Sequence, residues 1–346
     1  MLWSCIRSSM RVTTKAPCRV DLAGATLDIW PLYLFHQHSV TVNFAVDRYT
    51  SCIATTRDDG AVSLCSRDLR VEEKFASYTH LRAAKRLKLP LLGYLVRFFA
   101  PELALQEKGI HLESDSEAPA GAGISGSSAL MIAVASALNK LTGSRYKLDK
   151  LREIVQNVEA QVIRVPTGAQ DYFPAMYGGV SAIELSPAGV TRSALPVQAS
   201  ELNQRFVLAY TGAPRNSGIN NWEVMKAYID GDQAVQRNFD RIASVSNRMR
   251  NALSNNDWQA AGSLMREDWS NRKKNIPGIT TPLIDEMIAA AARVGSTGAK
   301  VCGAGGGGCV VFLVEPRAKE KTARALEATG AQVLDAKVAP KGVQVS

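Results

Sequence analysis

The sequence predicts an α+β protein in two halves, and three features of its 346 residues carry that prediction. Strand-like alternation crowds the first sixty-odd residues, helical periodicity runs from Asn220 to about Arg272 with few breakers, and glycine-rich turns feed directly into an apolar helix and an apolar strand. The halves are drawn at 1–185 and 186–346, with a ligand cleft between them.

Val40 to Ala54 alternates apolar and β-branched residues and reads as two strands joined near Asp47-Arg48. Val62 to Cys65 is a further strand after the Asp58-Asp59-Gly60 turn. Leu81 to Leu105 is helical by period, and Pro101 opens a second helical segment there, because proline fits a first turn. Ile110 to Glu113 is a strand that delivers the chain to Pro119-Ala-Gly-Ala-Gly-Ile-Ser-Gly-Ser-Ser-Ala-Leu-Met131, and the small, apolar run on to Leu141 is a buried helix. Leu151, Ile154, Val155, Val158 and Val162 make Leu148 to Val162 an amphipathic helix and put Glu159 near its end. A turn-dense break surrounds Asp171, followed by strands at Val180 to Glu184 and Phe206 to Tyr210. Pro282 to Val294 is a helix, and the tetraglycine Gly305 to Gly308 precedes the apolar strand Val310 to Val314.

Hydrophobic residues at 46% and charged residues at 21% describe an ordinary globular chain. The formal charge of +9 admits an acidic partner, yet no Lys/Arg run concentrates it. A phosphorylated small molecule therefore fits better than a nucleic acid. The six cysteines are scattered, with no Cys-x-x-Cys pair and no His at zinc spacing, as reduced thiols would be. No stretch approaches the ~18 apolar residues of a membrane helix, and the first fourteen residues lack the continuous apolar core of a secretory signal. The expected location is the cytoplasm, with no membrane partner.

Gly121, Gly123 and Gly126 let the backbone take positive φ and approach a ligand, while Ser127 and Ser128 can cap the following helix and keep their hydroxyls above it. Unpaired N–H groups at the positive end of a helix dipole make a phosphate cradle. No Lys-Ser or Lys-Thr follows the glycines, which excludes a Walker A loop. The acidic Glu113-Ser-Asp-Ser-Glu117 that precedes them argues against a Rossmann turn.

Two more segments complete a pattern: Lys15-Ala-Pro-Cys-Arg-Val-Asp-Leu-Ala-Gly24 with Thr26-Leu27-Asp28, and Lys300-Val-Cys-Gly-Ala-Gly-Gly-Gly-Gly-Cys309. In this order and spacing the three segments resemble the GHMP kinase superfamily over about Lys15 to Val314. The resemblance implies a two-domain GHMP kinase fold, with a strand-rich N-terminal domain of the ribosomal protein S5 domain 2-like type and an α+β C-terminal domain of the ferredoxin-like type. It implies ATP and Mg²⁺ as cofactors, the nucleotide being held by Pro119, Gly121, Gly123, Ser125, Gly126, Ser127 and Ser128. The metal would be held by Ser127 and Glu159. Asp171 would contact the acceptor hydroxyl, as a base or by orienting it, partnered by Lys15 or Arg19, with Lys15 preferred. Asp28, Arg19, Thr211, Gly212, Arg215, Gly305 and Gly306 would meet the substrate.

Within the superfamily, Leu208-Ala-Tyr-Thr-Gly-Ala-Pro-Arg-Asn-Ser217 and Pro166-Thr-Gly-Ala-Gln-Asp-Tyr172 resemble the heptose 7-phosphate kinase and fucokinase group, which phosphorylates an anomeric hydroxyl. Sugar kinases of the superfamily carry Gly-x-Thr-Asp near Asp28, whereas here a Leu stands between Thr26 and Asp28, and the Glu-His pair of galactokinases is absent. A mevalonate or phosphomevalonate kinase, and a nucleotide- or sugar-binding regulator without turnover, are the alternatives. A homodimer is left open.

Overall fold

The computed structural model describes residues 9–104, 108–214, 217–275 and 278–346. The chain begins with two long antiparallel strands, β1 (Arg11–Ala23) and β2 (Ser39–Arg57), joined through a 3₁₀ turn at Leu32–Phe35. The hairpin β3 (Val62–Ser66) and β4 (Val71–Phe75) follows, then α1 (Tyr78–Ala83), α2 (Pro90–Ala104) and β5 (Gly109–Ser116). Next come α3 (Gly126–Leu141), α4 (Leu148–Ile163), the short α5 (Tyr172–Tyr177) and the hairpin β6 (Val180–Ser186) and β7 (Gly189–Ala194). The second half contains α6 (Ala199–Arg205), β8 (Phe206–Tyr210), α7 (Ser217–Ile229), α8 (Gln233–Ser254), α9 (Trp258–Asn275) and α10 (Pro282–Arg293). It closes with β9 (Ser296–Val301), β10 (Cys309–Val314), α11 (Lys319–Glu327), β11 (Gln332–Leu334) and β12 (Gln344–Val345).

Two sheets result. The first runs β12-β1-β2-β5-β3-β4, with the β6–β7 hairpin attached to the start of β2; the second is a small antiparallel sheet, β11-β8-β10-β9. One apolar core fills the space between the first sheet and the layer of α2, α3 and α4. α3 is its axis: Met131, Ile132, Val134 and Leu138 are all buried, so the helix is apolar nearly all round, as a central helix must be. A second core joins the small sheet to α7, α8, α10 and residues 27–32. Among the described residues no helix is long and apolar enough to cross a membrane.

Several expectations are corrected. Residues 39–57 form one strand rather than two. Pro17 pairs with Tyr49 and Cys18 with Val46, so Asp47 and Arg48 are the extra residues of a bulge. Proline has no N–H for the ladder, and the register shifts beside it. The other edge of β2 changes partner at this point, from β6 to β5. In the stretch from Leu81, the helix that was expected to run on to Leu105 starts at Pro90, and Pro101 lies inside it. The long helical stretch after Asn220 is three helices. Gly231, at φ +89°, breaks the first, and Asp232 caps the next by accepting from the N–H groups of Ala234 and Val235; Asn256, at φ +55°, makes the second break. A boundary at 185 would fall within the β6–β7 hairpin. The C-terminal residues also return to the first sheet, where Ala339 exchanges hydrogen bonds with Ala45 and Gly179, and Gln344 pairs with Lys15.

Candidate active site

The glycine turn and α3 build one wall of a cleft of about 500 Å³. Gly121 and Gly123 take φ of +68° and +79°, and Ser125 follows them at +60° as the residue before the helix. Ser127 and Ser128 therefore lie inside the first turn of α3 rather than capping it. The Ser125 hydroxyl is buried with no hydrogen-bond partner among the described residues, an orphaned polar atom where the glycine turn enters α3.

The opposite wall comes from α4 and the loop behind it. Glu159 turns inward from α4 and is 4% exposed; its Oε2 accepts from Tyr172 Oη at 2.5 Å and Ser128 Oγ at 3.2 Å. Burial holds its carboxyl above the usual range against the lowering effect of those hydroxyls. No Lys or Arg among the described residues forms an ion pair with it. Tyr172, also buried, has its phenol pushed well upward by burial and by Glu159.

Asp171 projects from the end of the same loop, and Arg19 meets it. Arg19 Nε and Nη2 both donate to Asp171 Oδ1, at 2.9 and 2.7 Å, while Nη1 donates to Gly123 O at 2.7 Å. One guanidinium thus ties the Asp171 carboxylate to the glycine turn. The expected partner, Lys15, is elsewhere: it is exposed on β1 with its amine 5.0 Å from the centre of the Tyr49 ring. Lys15 is exposed on β1 whereas Arg19 is buried, so the arginine and not the lysine meets Asp171. The cradle covers β1 at Arg19, whose N–H donates to Ile124 O at 2.9 Å, and this contact selects the arginine.

Asp28 closes the floor. Its Oδ2 accepts from the Gln170 N–H at 2.9 Å and its Oδ1 from Gln170 Nε2 at 3.1 Å. A Cβ on Gly168 would stand 2.1 Å from Oδ2, so only glycine fits there. Burial, then the charge of Asp171, push the Asp28 carboxyl up to about 6.

The third glycine segment supports the cradle from behind. A Cβ on Gly308 would come within 2.7 Å of Ala122 O, and Cys309 N–H donates to that same oxygen. Gly303 and Ala304 line the cleft. Gly305 instead packs on Ile279, and Gly306 donates its N–H to Ile279 O. Thr211 N–H donates to Gly308 O at 3.0 Å. Thr211, Gly212, Gly305 and Gly306, expected at the substrate, do not line the cleft, because the backbone of these two loops is spent on packing against each other and the cradle. Arg215 lies outside the described residues.

Beneath the cleft sits a charge cluster that the sequence did not announce. Lys300 Nζ, fully buried on β9, lies 2.7 Å from Asp21 Oδ2 and 2.8 Å from Asp268 Oδ2. Asp21 also faces Arg19 at 3.3 Å and accepts from the Gly303 N–H at 2.9 Å. Burial alone would raise the Asp21 carboxyl; Lys300, Arg19 and Arg272 outweigh it and hold it below the usual range. Arg19 and Asp21 share a strand face by their i, i+2 spacing, which was the available signal. Lys300, on a strand of the other sheet, gave none beyond opening its glycine motif.

Two family models match the chain: the GHMP kinases N terminal domain over residues 90–179 and the GHMP kinases C terminal over residues 249–332, together just over half of its length. The chain belongs to the GHMP kinase family. It is therefore a kinase, and GHMP kinases use ATP as phosphate donor. This GHMP kinase is 24% identical to a D-glycero-alpha-D-manno-heptose 7-phosphate kinase of Campylobacter jejuni, covering 96% of this chain and 98% of the relative. It is 22% identical to a mevalonate kinase of Thermococcus sibiricus, over 97% and 98% of the two chains. Its fold matches the crystal structure of a D-glycero-D-manno-heptose 1-phosphate kinase from Bacteriodes thetaiotaomicron with a TM-score of 0.76 at 21% identity, over 97% and 98% of the two chains.

Proposed function

We propose that this kinase transfers the γ-phosphoryl group of ATP to a hydroxyl, the anomeric one, of a sugar or sugar phosphate such as a heptose 7-phosphate. The observation that carries the reading is the convergence of the glycine cradle, Glu159 and the Arg19-paired Asp171 on a single cleft. Phosphoryl transfer asks a protein chiefly for positioning and for charge placed where negative charge moves. The triphosphate lies on the N–H groups of residues 121–128. Asp171 offers Oδ2, which no described residue hydrogen-bonds, to the acceptor hydroxyl, while Arg19 fixes the carboxylate through Oδ1. The new oxygen–phosphorus bond forms as the bond to the ADP oxygen breaks, and the hydroxyl proton leaves along its hydrogen bond to Asp171.

The residues present fit Mg²⁺. Among the described residues no three His, Cys, Asp or Glu side chains gather as a ligand set, but this ion takes one or two protein oxygens and fills the rest with water and phosphate. Glu159, buried without a cationic partner beside the Ser127 and Ser128 hydroxyls, is such a donor. Bound there, the ion would neutralise charge between the β- and γ-phosphates.

The heptose kinase relative supports the sugar as acceptor, and the mevalonate kinase relatives make mevalonate the competitor to exclude. The test is ADP release from ATP and Mg²⁺ against a panel of sugars, sugar phosphates, mevalonate and phosphomevalonate. Turnover with a sugar or sugar phosphate, lost in Asp171→Ala, supports the reading; turnover with the mevalonates alone, or with no panel member, ends it.

A further inference from the structure

A second cleft, of about 610 Å³, opens beside the first and shares Asp28, Pro166 and Thr167 with it. Its inner wall is Arg152. Arg152 and Glu159 are seven residues apart on α4 and so lie on one helix face, the first facing this cleft and the second the nucleotide side. The Arg152 side chain is only 11% exposed. Its guanidinium stacks 5.5 Å from the Phe173 ring centre, and Nη1 donates to Gln156 Oε1 at 2.7 Å. Gln156 in turn donates to Thr167 O at 3.1 Å, which fastens the arginine to the loop that presents Asp171. The Glu153 carboxylate stands 4.0 Å from Nη2. Arg152 is thus a pinned fork whose other N–H groups have no acceptor recorded among the described residues. Arg164, at the end of α4, lines the same cleft, and Tyr33 and the 63% exposed Trp30 form its rim.

We propose that this second cleft holds the distal phosphate of a phosphorylated sugar acceptor, with Arg152 as its bidentate clamp and Arg164 as a second cation. The proposal rests on the sugar-kinase reading above and narrows it from sugars to sugar phosphates. A sugar whose reacting hydroxyl meets Asp171 runs past Asp28, the wall common to both clefts, and carries its far end to Arg152. A planar guanidinium locked over an aromatic ring matches phosphate oxygens two at a time and loses little freedom in doing so. The aromatic rim suits the apolar face of a sugar ring.

The test is calorimetric binding of matched pairs, a hexose and its 6-phosphate, a heptose and its 7-phosphate, to the full-length protein and to Arg152→Gln, Arg152→Lys and Arg164→Gln. ATP titrations and ADP-release assays run alongside. The wild type binds the phosphorylated member at least tenfold more tightly. Arg152→Gln cuts that ratio about tenfold, to near one, the lower worth of a charged hydrogen-bonded pair. Arg152→Lys, which keeps the charge without the fork, restores part of it, and the exposed Arg164→Gln cuts it less. A wild-type ratio near one overturns the proposal, as does a ratio unchanged in all three variants, or a loss in Arg152→Gln that falls on ATP instead. Should Arg152→Gln fail to fold, the ratios in Arg152→Lys and Arg164→Gln decide. Phosphate-selective binding without ADP release from any sugar would sink the sugar-kinase reading and leave the phosphate site standing.

Discussion

Arg19 and Asp171 lie 152 positions apart, yet two nitrogens of the arginine converge on one oxygen of the aspartate, at 2.9 and 2.7 Å. The same guanidinium holds Gly123 O and so fixes Asp171 against the glycine turn. Arg19→Lys keeps the charge and loses the fork. It should lower kcat about 100-fold with ATP affinity within a few fold, because positioning acts in the transition state more than in nucleotide binding. Asp171→Asn should cost about 10²–10⁴-fold in kcat, the usual worth of a group that handles the hydroxyl proton. ADP-release kinetics and ATP calorimetry separate the two parameters; a change confined to ATP affinity in either variant would remove the pair from the acceptor side.

Asp28 makes a pH prediction. Its carboxyl is raised to about 6 in the fold, above its ordinary value, so between about pH 4 and 6 the native state holds a proton that the unfolded chain has released. Stability therefore falls as pH rises through that window, by about 3 kcal/mol, and stays lower above it. Asp28→Asn cannot titrate. The melting temperature of the variant relative to the wild type should climb from pH 4 to pH 7, whatever the fixed cost of its altered bond to Gln170; a pH-independent difference refutes the raised carboxyl.

Lys300 on β9 joins the second sheet to the first through Asp21 on β1, and to α9 through Asp268. Lys300→Met leaves buried Asp268 without an ion-pair partner among the described residues and Asp21 with Arg19 alone, which costs about 3–5 kcal/mol. Thermal melts should shift down by about 5 °C. Asp21, held low by its cations, contributes stability that is fully present above its unfolded value near 4 and is lost as pH falls. The wild type should therefore lose its advantage over Lys300→Met in strong acid, and an advantage constant down to pH 2 would contradict the cluster's role.

Glu159→Gln removes the charge offered to the metal while keeping the size and the Tyr172 contact. The Mg²⁺ concentration for half-maximal rate should rise about tenfold or more, and chelation should abolish turnover in both proteins. An unchanged Mg²⁺ requirement would leave Glu159 as a partner of Tyr172 only.

Local patterns were legible because the residues that carry them act through nearest neighbours. The strand Phe206–Tyr210 and the α3 and α4 helices follow the periodicity of their side chains closely. The glycine cradle is a property of consecutive φ angles. From sequence alone Asp47 and Arg48 read as the junction of two strands, because a bulge and a turn both interrupt alternation, and only the partner strand, with Pro17 in it, tells them apart.

By itself, the sequence determined the helix and strand inventory in outline, the glycine turn that leads into α3, and the places of Glu159 near the end of its helix and Asp171 in a turn-dense break. The tertiary structure decided that Arg19 rather than Lys15 meets Asp171, and that Gly305 and Gly306 pack on neighbouring loops instead of facing the cleft. It also decided that Arg152 faces a cleft of its own and that Lys300 neutralises two aspartates from different elements. The division has one cause: dihedral preference and side-chain period are set within a few residues, whereas which charge pairs with which depends on what the folded chain lays over it.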